Sequence, residues 1–187
     1  MVSSTKLQLI YLSTSLFSTY CVVSNTYLLT CANLVGIMCL CDMWFVKKKD
    51  MMLHHILVLF LSHYMNTHYS NPYRFKIMSA LLSTEISTIF LTFHNMLENT
   101  ASCSSIVRIK QVNKLAFVST FVYYRLYNYS YSLLNAEVRN SYLIYSAGPF
   151  ERWEVCSGIY GLFLLNVYWV ALIAKKAVSD QTCKKSR

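Results

Sequence analysis

Several ionisable side chains that could do chemistry lie within apolar stretches of this 187-residue chain, with Asp50, His54 and His55 in one stretch and Glu85 and Arg125 in two others. At membrane depth each such group costs about 2.5 to 3.5 kcal/mol, so it requires a partner or a function. Asp50 and His54 are four residues apart and share a helical face, where the carboxylate would orient the imidazole. His55 would then face the interior as a general base. The alternative is a wet first turn, in which Asp50 caps the helix and both histidines lie idle among lipid head groups.

Two polar stripes surround the other two charges. On a helix, Glu85 shares a face with Thr88 and Thr92, and Arg125 shares a face with Asn128. Both charges lie near the middle of their apolar segments, so we predict an interhelical ion pair between Glu85 and Arg125. The alternative is that the stripes line a substrate cavity.

The composition indicates that these stretches are membrane helices. The chain is 55% hydrophobic and 13% charged, which leaves too few charges to coat a soluble domain of this size. It has only 4 glycines and 2 prolines, which favours long helices with short loops. A membrane span needs about 20 mostly apolar residues, and about six windows qualify, near residues 7–24, 27–46, 51–68, 74–96, 113–135 and 156–174. The first window is the weakest because serines and threonines dilute it.

The basic residues predict the orientation in the membrane. They follow the second, fourth and sixth windows, at Lys47 to Lys49, at Arg108 and Lys110, and from Lys175 to Arg187. Because basic loops stay in the cytoplasm, both termini should be cytoplasmic. The net charge of +9 then reflects topology and anionic lipid, so we expect no nucleic-acid partner. The cysteines form no C-x-x-C pair, and we expect no metal and no cofactor.

Several motifs together resemble the TLC domain of the Tram, Lag and Cln proteins. The matching segments are CLCDMWF with Asp42, the pair His54 and His55, EISTIFL from Glu85, FVYYRL with Arg125, and LLNVYWVALIAKK with Asn166 and Trp169. The chain is more similar to the small eukaryotic TLC-domain proteins than to the ceramide synthases. We therefore predict an N-terminal segment with the weaker first helix at residues 1–29, a TLC-like domain at 30–176 and a basic cytoplasmic tail at 177–187.

The resemblance implies an all-α, polytopic transmembrane bundle of about six helices around a central cavity. The resemblance and the two polar stripes together predict which polar side chains lie in the cavity or the core. These are the side chains of Asp42, Glu85, Thr88, Thr92, Arg125, Asn128, Asn166 and Trp169. In ceramide synthases the paired histidines serve acyl transfer from a coenzyme A thioester to a sphingoid amine. Those enzymes carry H-D-x-x-D where this chain has HNMLE at residues 94–98, which argues against sphingolipid acylation.

These features predict a protein that binds or senses membrane lipid and influences membrane lipid composition. One alternative is a lipid acyltransferase with His54, His55 and Asp50 as catalytic residues and acyl-CoA as substrate. Another is an accessory subunit of a larger membrane complex, with other membrane-protein subunits as partners.

The C-terminal end predicts the location. Lys184-Lys185-Ser186-Arg187 is similar to the K-K-x-x signal that retrieves membrane proteins to the endoplasmic reticulum. The alternative is an organellar inner membrane such as the mitochondrial one, because a basic tail also follows from topology alone.

Overall fold

The chain is helical throughout the part that a computed structural model describes, namely residues 4–24, 26–44, 48–67, 71, 73–98, 104–145 and 148–185. The elements are α1 (Ser4–Ser24), α2 (Leu28–Asp42), α3 (Lys49–Thr67), α4 (Arg74–Ser83), α5 (Glu85–Glu98), α6 (Ser104–Phe121), the π-helix π1 (Val122–Asn128), α7 (Tyr129–Leu133), α8 (Ala136–Tyr145) and α9 (Pro149–Lys185). No strand occurs in these ranges. The predicted all-α class is confirmed, and the central cavity stays a prediction. Lys47, Ser186 and Arg187 of the predicted basic segments lie outside the described residues.

The six apolar windows all coincide with helices. α1, α2 and α3 match the first three windows, α4 with α5 the fourth, α6 with π1 and α7 the fifth, and α9 the sixth. Within the described ranges, two helical stretches, Arg74–Leu97 and Pro149–Ala177, are long and apolar enough to cross a membrane. Leu28–Asp42 is apolar but shorter. Membrane crossing by the remaining helices stays a prediction.

The fourth helical stretch is interrupted at Thr84, which the sequence did not predict. The hydroxyl groups of Ser83 and Thr84 donate hydrogen bonds to the carbonyls of Ala80 and Leu81, at 2.8 and 2.7 Å. Serine and threonine hydroxyls that bond to carbonyls in the preceding turn compete with the helical ladder and bend the helix. The interruption therefore separates α4 from α5 and makes Glu85 the first residue of α5.

The segment between the fifth and sixth windows was expected to be a loop, but it contains α8. Asn135 begins this helix, because its side-chain oxygen accepts a hydrogen bond from the backbone N–H of Glu137 at 2.7 Å. α9 then starts at Pro149 and continues for 37 residues, well beyond the predicted window.

The packing of α3 against α9 depends on two glycines. A methyl group added at Gly158 would lie 2.7 Å from Leu61 Cγ, and one added at Gly161 would lie 2.9 Å from Leu57 Cδ1. Leu61 is fully buried and Leu57 nearly so. The bare backbone of α9 therefore lets α3 approach closely, and this contact sets the distance between the two helices.

Gly158→Ala should lower the free energy of unfolding by about 1 to 3 kcal/mol, because overpacking a tight core site costs that much. Helix propensity alone favours alanine, so a net loss of stability would report the clash. The measurement is thermal or chemical unfolding in detergent. Gly148→Ala is the control, since nothing lies within 4 Å of its added methyl group. Equal stability of both variants would show that α3 and α9 do not pack as described.

Candidate functional site

Two polar clusters lie close together and draw their residues from α1, α2, α3, α5, π1 and α9. The histidine cluster consists of Tyr11, Asp42, Asp50, His54 and His55. The arginine cluster consists of Ser87, Thr88, Arg125 and Asn166. Trp169 joins them, because its ring lies 5.3 Å from the His54 ring and 5.7 Å from the guanidinium carbon of Arg125. The structure thus brings together most of the residues predicted for the site.

The histidine pair lies at the centre of the first cluster. The two rings are 5.6 Å apart between centroids and tilted by 59°. His55 is buried, with 6% of its surface exposed. Three buried ring nitrogens, Nδ1 of His54 and both nitrogens of His55, have no hydrogen-bond partner within the described chain. Buried polar atoms are nearly always paired, so these nitrogens call for a functional explanation.

Asp42 is the carboxylate next to the pair. Its Oδ2 lies 3.8 Å from Nε2 of His55, and it accepts a hydrogen bond from the hydroxyl of Tyr11. The resemblance had placed Asp42 in the cavity or the core, but no sequence signal singled out Tyr11. The two residues are 31 positions apart, and Tyr11 lies in the weakest apolar window.

Asp50 does not orient His54, so that prediction is wrong. Its Oδ2 accepts a hydrogen bond from the indole N–H of Trp169 at 2.9 Å, and this bond lowers the pKa of the Asp50 carboxyl. Side chains in a helix tilt towards its N-terminus, so a carboxylate in the first turn of α3 points past the helix end. Asp50 therefore positions the indole, and the indole packs against His54.

Arg125 does not form the predicted ion pair with Glu85. Its Nε donates to Ser87 Oγ at 2.8 Å, Nη2 to Thr88 Oγ1 at 3.1 Å and Nη1 to Asn166 Oδ1 at 3.4 Å. Among the described residues no carboxylate lies within ion-pair distance of this buried guanidinium. Glu85 acts on it electrostatically from farther away. The prediction failed because neutral groups one turn along α5 reach Arg125 first.

The π-helix presents Arg125. In π1 the carbonyl of Arg125 accepts a hydrogen bond from the side-chain amide of Asn166 at 3.3 Å, so each residue bonds to the other. Short π segments occur frequently at functional sites. The sequence carries no signal that distinguishes them from an α-helix.

The remaining predicted polar residues lie around these clusters. Asn128 donates to Ser83 Oγ at 3.0 Å and ties π1 to the end of α4. Thr92 is buried, and Glu85 is only partly buried at the start of α5. They form the flank of the site.

One ion pair that the sequence did not predict joins the far end of α3 to α9. His63 Nδ1 lies 2.7 Å from Glu154 Oε1, with a buried carboxylate and an exposed imidazole. It fixes α3 to α9 two turns away from the histidine pair.

A family model described as the TLC domain matches residues 2–175. No curated protein and no solved structure matches the chain. The matched range includes every residue of both clusters and also α1. The predicted division at residues 29 and 30 stays a prediction.

Proposed function

The chain belongs to the TLC-domain family and is a membrane protein linked to lipid metabolism or sensing, and from this premise we propose that it binds a membrane lipid at the two clusters. Through this binding it influences membrane lipid composition. The observation that carries the proposal is the set of three buried ring nitrogens of His54 and His55 that have no hydrogen-bond partner within the described chain. A buried polar atom left unpaired costs about 1 to 3 kcal/mol, and a lipid head group would satisfy it.

The outer surface of the bundle supports an origin of the ligand in the membrane. Apolar residues of α9 point outwards, with exposed fractions of 66% for Leu164, 50% for Tyr168 and 44% for Leu172. Contiguous apolar surface of this kind suits an acyl-chain environment. This surface suits a bundle that lies in the bilayer, where a membrane lipid would be its neighbour.

Lipid retention through purification tests the proposal. His55→Asn should reduce the amount of lipid that copurifies in mild detergent several-fold, because it removes the imidazole from the cluster. The readout is lipid mass spectrometry per mole of folded protein, with unfolding curves to confirm the fold. The control is His63→Asn on the same helix, where the side chain is 63% exposed and an asparagine can still donate a hydrogen bond to Glu154. Equal lipid retention in both variants would refute binding at the histidine pair.

A second candidate is the acyltransferase, and one distance favours it. Asp42 Oδ2 lies 3.8 Å from His55 Nε2, close enough for a small movement to make a hydrogen-bonded pair. A carboxylate that orients an imidazole is the usual arrangement of a general base. In this alternative His55 is the base and Asp42 replaces Asp50 as the orienting group.

We also propose that the protein resides in the endoplasmic reticulum with both termini in the cytosol. The distribution of basic residues and Lys184 with Lys185 in the last four positions support this. Changing both lysines to serine should release an N-terminally tagged protein to later compartments, as followed by microscopy with compartment markers. A double substitution directly before the tail that spares them, Lys175→Ser with Lys176→Ser, is the control. An unchanged distribution would show that the two terminal lysines are not a retrieval signal.

A further inference from the structure

We propose that the arginine cluster is a receptor for an oxyanion, so that the lipid bound here carries a carboxylate or a phosphate at the end that enters the bundle. This inference rests on the proposed lipid binding and names the chemistry of the ligand. It starts from the hydrogen bonds of Arg125.

The guanidinium of Arg125 has unused donors. It carries five N–H groups, and its contacts within the described chain use one on each nitrogen, to Ser87, Thr88 and Asn166. One N–H therefore remains on Nη1 and one on Nη2. Guanidinium N–H groups, which all lie in one plane, are well suited to the oxygens of a carboxylate or a phosphate.

Two aromatic rings lie next to the guanidinium of Arg125. Its carbon atom lies 5.0 Å from the centroid of the Phe121 ring and 5.7 Å from that of Trp169. Aromatic rings within about 6 Å interact with the face of the cation. Neither ring supplies an oxygen acceptor, so an oxyanion that binds in the plane of the guanidinium would be the partner of the two remaining N–H groups.

The charge balance points to the same ligand. Arg125 is 6% exposed, and every group that it touches is neutral. A buried charge without a paired opposite charge is costly. Glu85 is two residues before Ser87 but beyond ion-pair distance, and Asp42 and Asp50 are engaged with Tyr11 and Trp169. A bound oxyanion would supply the missing contact.

The histidines extend the receptor. Trp169 packs between Arg125 and His54, and the ring of His54 contacts that of His55. A neutral imidazole offers one N–H donor and one acceptor nitrogen. The unpaired nitrogens of the pair could therefore bond to further oxygens of the same head group, including a hydroxyl or a protonated phosphate oxygen.

The proposal is tested by comparing the affinities of three ligands that share one hydrocarbon chain but differ in head group. The full-length protein is used in nanodiscs. The probes are oleate, oleoyl lysophosphatidate and oleyl alcohol, each measured by native mass spectrometry or with radiolabel. The wild-type protein should bind at least one oxyanion on the order of tenfold or more tightly than the alcohol, as expected for charge-assisted hydrogen bonds. The tighter of the two oxyanions identifies a carboxylate or a phosphate ligand.

Two variants assign the preference to Arg125. Arg125→Lys keeps the charge but loses the fork, so the preference for the oxyanion should fall while binding of the alcohol remains. Asn166→Asp places a carboxylate beside Nη1 and should abolish the preference without removing the cation, even if Arg125→Lys fails to fold. Asn33→Asp, on the exposed side of α2, is the control for an added negative charge.

The outcomes separate this inference from the proposed function. Equal affinity of the wild-type protein for all three ligands would overturn the oxyanion receptor and leave lipid binding intact. A preference for an oxyanion that Asn166→Asp leaves unchanged would also overturn it. If none of the three ligands binds, both the oxyanion receptor and the proposed lipid binding are refuted.

Discussion

Arg125→Leu should lower the free energy of unfolding by about 1 to 3 kcal/mol for each buried acceptor that it leaves without a donor. The substitution leaves the oxygens of Ser87, Thr88 and Asn166 without their donor. Glu85→Gln should cost far less, because this carboxylate has no direct contact with the guanidinium. Unfolding by heat or by sodium dodecyl sulfate in mixed micelles measures both variants.

A double-mutant cycle distinguishes the two possible partners of Arg125. The effects of Arg125→Leu and Glu85→Gln should add to within about 0.5 kcal/mol, whereas Arg125→Leu and Asn166→Leu should be coupled by about 1 kcal/mol or more. Strong coupling between positions 85 and 125 would instead show that the ion pair forms, contrary to the structure.

In the enzymatic alternative, His55→Ala should reduce acyl transfer about 10²- to 10⁴-fold, the usual contribution of a general base. Asp42→Asn should also slow the reaction, because Asp42 is the carboxylate near His55. Asp50→Asn should leave the chemical step nearly unchanged, since Asp50 bonds to the indole of Trp169. The assay uses purified protein, labelled acyl-CoA and a panel of lipid amines and hydroxyls.

The same assay decides between the two candidate functions. Lipid binding without catalysis predicts no product from the wild-type protein with any acceptor. Product that disappears in His55→Ala would replace that conclusion with an acyltransferase. Product that persists in His55→Ala and Asp42→Asn would show that the activity does not use His55 and Asp42.

The sequence predicted the positions of the long helices but not their irregularities. Hydropathy over about 20 residues detects a helix because the whole segment must be apolar. At the interruption, the Thr84 hydroxyl bonds back to the helix, and in π1 the Arg125 carbonyl accepts a hydrogen bond from an amide of α9. Both are contacts whose partners a composition window cannot identify. Helix α8 was missed because it has only 10 residues and many of them are polar.

The site was predicted better in its membership than in its contacts. The motifs implied that several polar residues lie near one another, and the structure places them so. These residues are Asp42, His55, Arg125, Asn166 and Trp169. Spacing along one helix shows which residues share a face, but the rotation of that helix against its neighbours decides the partners. The partners assigned to Asp50 and Arg125 were therefore wrong.

Two further contacts carried no usable signal in the sequence. Tyr11 bonds to Asp42 from a helix whose serines and threonines made its apolar pattern weak. His63 pairs with Glu154 across 91 positions, and neither residue belongs to a recognisable motif. The pairing of His63 with Glu154 follows from the close packing of α3 on α9, and it can be seen only in the folded structure.

The central claim is that a lipid occupies the two clusters inside the bundle, and photo-crosslinking tests it most directly. The full-length protein in nanodiscs is irradiated with a lipid that carries a diazirine close to its head group, and the labelled peptides are mapped by mass spectrometry. The account predicts labels on inward-facing segments of α3, α5 and π1 around His55, Ser87 and Arg125, which excess unlabelled lipid removes. Labels confined to outward-facing residues of α9 such as Leu164 and Tyr168, and unaffected by competition, would contradict it.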